Sequence, residues 1–141
     1  MVDRSATQDL FDRWERVWHD GRYDLVPSCV AETYVRHDEA GDRTVSREAY
    51  AAEIARMHQA RPGILVVVYD HLLEEDRAWF RFAFKWLDPQ THEPMSRAGL
   101  QLYRIEAGKL AETWVVVQPL GSLWPDAVAQ EHWTSPSPSR G

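Results

Sequence analysis

The chain has one cysteine, Cys29, so it can form no internal disulfide. A lone thiol with no partners at metal-ligand spacing excludes disulfide-stapled scaffolds and zinc ribbons. Its apolar neighbourhood predicts a buried, inert thiol. No basic cluster is present: 16 Lys and Arg face 22 Asp and Glu, for a net charge of −6. That balance excludes nucleic acid as the expected partner. No apolar run approaches a membrane span, and the opening MVDRSATQDL has no apolar signal segment, so the expectation is a cytoplasmic protein with no membrane partner. The sequence also lacks a Gly-rich phosphate loop, a Gly-x-Ser-x-Gly, a His-x-x-x-His and a His-Glu-x-x-His. Its six histidines are scattered, so no metal site and no cofactor are expected, and any chemistry should be proton transfer by side chains alone.

What the chain has in excess is aromatic surface: seven Trp and five Tyr. Such residues suit pocket walls and interfaces, and they also fill bulky cores. With 141 residues, 44% of them hydrophobic and 27% charged, the chain reads as one soluble domain. That domain is expected to cover residues 1–126. Residues 127–141, ending in TSPSPSRG, are expected to be a flexible tail.

The spacing predicts three helices in the first half. Ser5 and Gln8 fit a capping box, Leu10, Trp14, Val17 and Trp18 form one stripe, and Gly21 ends the first helix. A short second helix runs from Asp24 to about Ala31, with Pro27 in its first turn. Residues 33–37 read as a short strand and residues 38–44 as a polar loop. Ser46 caps a third helix that reaches about Gln59, with Tyr50, Ile54, Met57 and His58 on one face. Residues 64–73 and 77–87 then read as strands, the second alternating Ala78, Phe80, Phe82, Phe84 and Trp86 inward against Trp79, Arg81, Ala83 and Lys85 outward. Helices followed by strands mean an α+β fold.

Residues 100–121 carry the most pointed signal. Two strand patterns flank the turn Glu106-Ala107-Gly108-Lys109. In the second, Glu112, Trp114, Val116 and Gln118 share a parity and are expected on one polar pocket face.

Three segments resemble the SnoaL-like branch of the nuclear-transport-factor-2-like superfamily. Tyr34-Val35-Arg36-His37 matches its aromatic, aliphatic, any residue, His pattern. Residues 103–110, YRIEAGKL, match its hairpin, and residues 112–119, ETWVVVQP, its closing strand. The resemblance implies a cone-shaped α+β fold in which three N-terminal helices pack on a curved, mainly antiparallel sheet. Cyclases of this family hold an acidic base four residues after the Trp, where this chain has Gln118. A sister group, the aldol-condensation-like proteins, carries Gln there. That group often has Asp directly after the Trp and three residues before the hairpin Arg, where this chain has Val115 and Gln101.

The candidate catalytic groups are therefore His37, which the resemblance places at the pocket wall, Asp38 beside it, and Gln118. His titrates near neutrality and can move a proton, whereas an amide can only polarise a carbonyl. Trp14, Trp18, Tyr34, His58, Phe82, Trp86, Gln101 and Trp114 are expected to bind substrate, although a filled aromatic core would explain the same aromatic spacing. The resulting expectation is a cyclase, dehydratase or isomerase, of lyase or isomerase type, acting on a small hydrophobic, polyketide-like carbonyl compound. The rivals are a non-catalytic small-molecule binder and a dimerisation module; the outward parity of residues 79–85 suits a homodimer.

Overall fold

The computed structural model describes residues 4–125 and 128–138. Helix α1 (Arg4–Asp20) buries Leu10, Phe11, Trp14, Val17 and Trp18 along one stripe. It already includes Arg4, so Ser5 sits within its first turn and not at the N-cap of a capping box. It ends at Gly21, whose φ of +66° disfavours any side chain. A 3-10 turn (Tyr23–Leu25) leads into a four-residue helix α2 (Val26–Cys29), where Pro27 costs no hydrogen bond. Cys29 is fully buried, which pushes its thiol above the usual range. Helix α3 (Arg47–Ala60) starts at Ser46, whose Oγ accepts the Ala49 N–H at 3.0 Å. Among the described residues no helix is long and apolar enough to cross a membrane.

Six strands make one open, curved sheet in the order β2-β1-β6-β5-β4-β3. They are β1 (Val30–Asp38), β2 (Gly41–Ser46), β3 (Leu65–Leu73), β4 (Arg77–Leu87), β5 (Pro94–Glu106) and β6 (Lys109–Val117). Neighbours are antiparallel except β1 and β6, which are parallel, so the class is α+β with a mixed sheet. The expected polar loop at residues 38–44 is instead a hairpin. The chain turns at Glu39 and Ala40, and β2 pairs with β1 from Asp38↔Gly41 to Thr33↔Ser46. As an edge strand that buries no residue fully, β2 has no apolar alternation to read. The β5–β6 turn is type I′, with Ala107 at φ 52° and Gly108 at φ 75°.

One irregularity decides which way β6 faces. Ile105 pairs with Leu110 and Arg104 with Glu112, so Ala111 is an extra residue on β6. Such a bulge shifts the period-2 pattern by one. Leu110 is fully buried, and beyond the bulge Thr113 is buried too, while Trp114 and Val116 are exposed. The shared parity of Glu112, Trp114, Val116 and Gln118 is therefore real, but it lies on the outer face. The sequence pattern carried no sign of the added residue.

The core joins α1 to the inner face of the sheet. The Phe11 ring lies 4.8 Å from Phe80 and 5.1 Å from Tyr103, and the Thr7 hydroxyl donates to the Glu74 carbonyl at 2.8 Å. Each fully buried side chain of the size of Phe11 or Leu10 contributes about 1.5–3 kcal/mol by leaving water. Gly99 pairs with Phe82 across β4 and β5, and a Cβ there would lie 2.7 Å from the Phe82 ring. The glycine therefore lets that ring lie flat on the sheet.

The flexible tail expected for residues 127–141 does not hold for residues 128–138. Gln130 and Trp133 are buried, and the Gln130 N–H donates to the Val68 carbonyl at 2.8 Å. The local composition is polar, and the segment is docked by long-range hydrogen bonds together with one buried indole.

On the outer face His37 ties three strands together. Its Nε2 lies 2.7 Å from Glu112 on β6 and its Nδ1 2.7 Å from Asp42 on β2, while its ring stacks on Trp114 at 5.1 Å. Hydrogen bonds to Asp42 and then Glu112 raise its pKa above the ordinary 6.5. The folded state thus holds this proton more tightly than the unfolded chain. That stabilisation is complete below the ordinary value and is lost as pH rises through the raised one. Denaturant midpoints measured across this window should fall with rising pH in the wild type, and His37→Gln should lose that part of the slope. Gly99→Val should destabilise the fold by about 1–3 kcal/mol through overpacking against Phe82, measured by chemical denaturation.

Candidate functional site

A cavity of about 310 Å³ opens between the inner face of the sheet and the helices. Its apolar wall comes from Trp18 of α1, Ile54 and Met57 of α3, Phe82 and Phe84 of β4, and Val115 and Val117 of β6. Its polar part is built from Arg36 and Asp38 of β1, Arg43 of β2, Glu53 of α3, and Arg97 and Gln101 of β5. A mostly apolar concavity with a few convergent polar groups has the form of a small-molecule site.

The polar groups form a chain of alternating charge. Asp38 Oδ2 accepts from Arg36 Nε and from Arg43 Nη2, each at 3.1 Å, and Oδ1 accepts the Ala40 N–H at 2.9 Å. Arg43 also grips Glu53 through both terminal nitrogens, at 2.8 and 2.9 Å. Burial works to raise the Asp38 pKa, but the hydrogen bonds from Arg43 and Ala40 and the Arg36 charge outweigh it and hold the carboxyl below its usual range.

Arg36 is the unusual member. It is 7% exposed, and its guanidinium lies 4.4 Å from the Tyr50 ring centroid and 5.4 Å from that of Tyr34. Burial works against its charge, while Tyr50, Tyr34, Tyr103 and Asp38 favour it, and its pKa is raised. Among the described residues only its Nε donates a hydrogen bond: Nη1 is buried without an acceptor, and Nη2 has no acceptor either. A buried guanidinium with its outer edge uncommitted is costly unless something else supplies an oxygen.

Four of the residues expected from sequence line this cavity: Asp38, Trp18, Phe82 and Gln101. The Gln101 amide donates to Thr113 Oγ1 at 2.9 Å, which fixes its orientation. The others lie elsewhere. Trp14 and Tyr34 are buried behind Tyr50, with ring centroids 6.1 and 5.2 Å from it, so they support the wall as core. His58 stands behind Trp18, with Nδ1 hydrogen-bonded to the Tyr23 hydroxyl at 2.5 Å. Trp86 is buried beneath Arg61, whose guanidinium sits 4.2 Å over its ring.

His37, Trp114 and Gln118 point away from the cavity. His37 pairs with Trp114 on the outer face, one residue out of step with Arg36 and Asp38. The Gln118 side chain is exposed, and only its backbone is engaged, with its N–H donating to Ala98 and its carbonyl accepting from Arg97 Nε. The sequence reading missed Arg36, Arg43, Glu53 and Arg97. Arg36 was within reach, because it shares the parity of Tyr34; Arg43 lies on the strand that went unread. Among the described residues no three His, Cys, Asp or Glu groups converge to hold a metal ion.

The family described as SnoaL-like polyketide cyclase matches residues 8–123. No curated protein matches the chain by sequence. Solved structures share its fold. A candidate polyketide cyclase from Acidithiobacillus ferrooxidans superposes with a TM-score of 0.72 at 15% identity, covering 84% of this chain and 92% of that one. TsrD from Streptomyces laurentii gives 0.70 at 21% identity, with 84% and 92% covered. IdmH, a candidate polyketide cyclase from Streptomyces antibioticus, gives 0.69 at 18% identity, with 81% and 92% covered. With the match extending over most of its length, this chain belongs to the SnoaL-like polyketide cyclase family.

Proposed function

We propose that the protein is a cofactor-independent cyclase acting on a small, hydrophobic, polyketide-like carbonyl compound. The observation that carries this reading is the uncommitted edge of Arg36 beside Asp38 at the polar end of an apolar cavity. A carboxylate held below its usual pKa is a weak base. It suits only an acidic C–H, such as one between two carbonyls, whose enolate is itself stabilised by a cation.

In this reading Asp38 accepts the proton as the C–H bond breaks, and the electron pair moves onto the carbonyl oxygen held by Arg36. The enolate carbon then attacks a second carbonyl of the same molecule and closes a C–C bond. The proton on Asp38 returns to the new alkoxide, so the carboxylate is regenerated. Tyr50 and Tyr103 exclude water, and Gln101 orients the ligand through its fixed amide. Aromatic side chains hold the rings flat, as suits a ligand of fused or folding rings.

The double clamp on Asp38 favours a second reading, a non-catalytic binder of the same ligand class. Turnover separates the two. With a 1,3-dicarbonyl substrate, Asp38→Asn should lower kcat about 10²-fold or more, and Arg36→Met by about 10²–10³-fold. His37→Ala should leave kcat unchanged, which reverses the expectation from sequence. Because Asp38 is held ionised, wild-type kcat should persist with falling pH until below the ordinary carboxylate range. Binding without turnover would leave the binder, and equal catalysed rates in wild type and Asp38→Asn would remove Asp38 as the base.

The outer face supports a homodimer. Leu72, Trp79, Leu102 and Trp114 lie in one row across β3, β4, β5 and β6, with exposed Leu100 and Val116 in the next. Exposed apolar surface of this continuity marks an interaction site. Sedimentation should give a dimer in the wild type and a monomer in a Leu102→Lys, Trp114→Glu double variant.

A further inference from the structure

One part of the cavity wall comes from a residue that lies beyond the family match, which stops at residue 123. Trp133 lines the cavity although it belongs to the segment after β6. It is 5% exposed, and three contacts hold it in place. Its indole Nε1 donates to the Val66 carbonyl of β3 at 2.8 Å, its backbone N–H donates to Glu15 of α1 at 3.1 Å, and its ring meets His19 edge-on at 5.5 Å.

The segment around it is fastened at several points, so this placement does not rest on the indole alone. The Gln130 amide donates to the carbonyls of His132 and Trp133, each at 3.0 Å, and its oxygen lies 2.8 Å from His71 Nδ1. Thr134 Oγ1 donates to Asp12 of α1 at 2.5 Å. The segment therefore straps β3 to α1, with Trp133 turned inward between them.

A second, smaller void of about 20 Å³ lies against the same indole and shares Val66, Phe82, Gln101 and Tyr103 with the main cavity. The two spaces adjoin at Trp133. Replacing a buried tryptophan by alanine removes a bicyclic ring system that a well-packed surround refills only in part.

We propose that Trp133 is a specificity-determining plug that sets the depth of the cavity and so limits the length of the ring system it admits. This rests on the small-molecule reading of the cavity given above. Discrimination by a packed wall is set by how much volume the wall denies, and one missing or extra group in an apolar pocket changes selectivity by roughly 10–200-fold. Side-chain size at position 133 should therefore order ligands by length, while leaving the Arg36 and Asp38 end untouched.

The test is calorimetric titration of the full chain with 2-naphthol and 2-hydroxyanthraquinone, flat phenols of two and three fused rings. The wild type should prefer the two-ring phenol. Trp133→Ala should move the ratio of the two affinities at least about 10-fold toward the three-ring phenol, and Trp133→Phe should move it part of the way. Added indole should bind Trp133→Ala and restore the wild-type preference. If Trp133→Ala does not fold, the Trp133→Phe ratio decides alone. An affinity ratio unchanged in every folded variant overturns the plug while leaving the cavity reading intact. Failure of the wild type to bind either phenol overturns both.

Discussion

Parallel hydrogen bonding joins Val35, Arg36 and His37 of β1 to Glu112, Thr113 and Trp114 of β6. Because successive strand residues face opposite ways, this register and the Ala111 bulge together decide the contents of the cavity. They send Tyr34, Arg36 and Asp38 inward with Thr113 and Val115. They send His37, Glu112 and Trp114 outward, where the histidine becomes a bridge between strands. A slip of one residue would exchange a guanidinium–carboxylate pair for an imidazole, and with it the chemistry available at the site.

Burying Arg36 is unfavourable on its own, since a guanidinium leaves water at considerable cost. The faces of Tyr50 and Tyr34 and the Asp38 carboxylate offset part of that cost. Arg43 then shares Asp38 and is itself neutralised by Glu53 on α3, so the network locks the β1–β2 hairpin to a helix. The same contacts that stabilise the hairpin keep Asp38 ionised and preorganised. What remains uncommitted is the outer edge of Arg36, and that is where an anionic oxygen gains most.

Much of the architecture was legible in residue spacing. The α1 stripe, the Ser46 cap, the alternating aromatics of β4 and the hairpin turn at residues 106–109 are local patterns with local causes. The edge strand β2 was not legible, because its two inward positions are only half-buried and one of them is the charged Arg43, so no apolar alternation marks it. The docked segment at residues 128–138 was not legible either, since its anchoring depends on carbonyls of β3 and carboxylates of α1 that lie far away in sequence.

The sequence by itself determined most of the element types, β2 excepted, the aromatic supply and, through three short segments, the family; each follows from neighbours a few residues apart. Four of the residues it nominated, Asp38, Trp18, Phe82 and Gln101, line the cavity. Only the tertiary structure decided which face of β6 looks inward, because one extra residue at Ala111 inverts a period-2 pattern without disturbing its appearance in the sequence. It likewise decided that Arg36 and not His37 lines the cavity, and that Trp133 lines it too. Those outcomes depend on register and on long-range packing, which no local run of residues encodes.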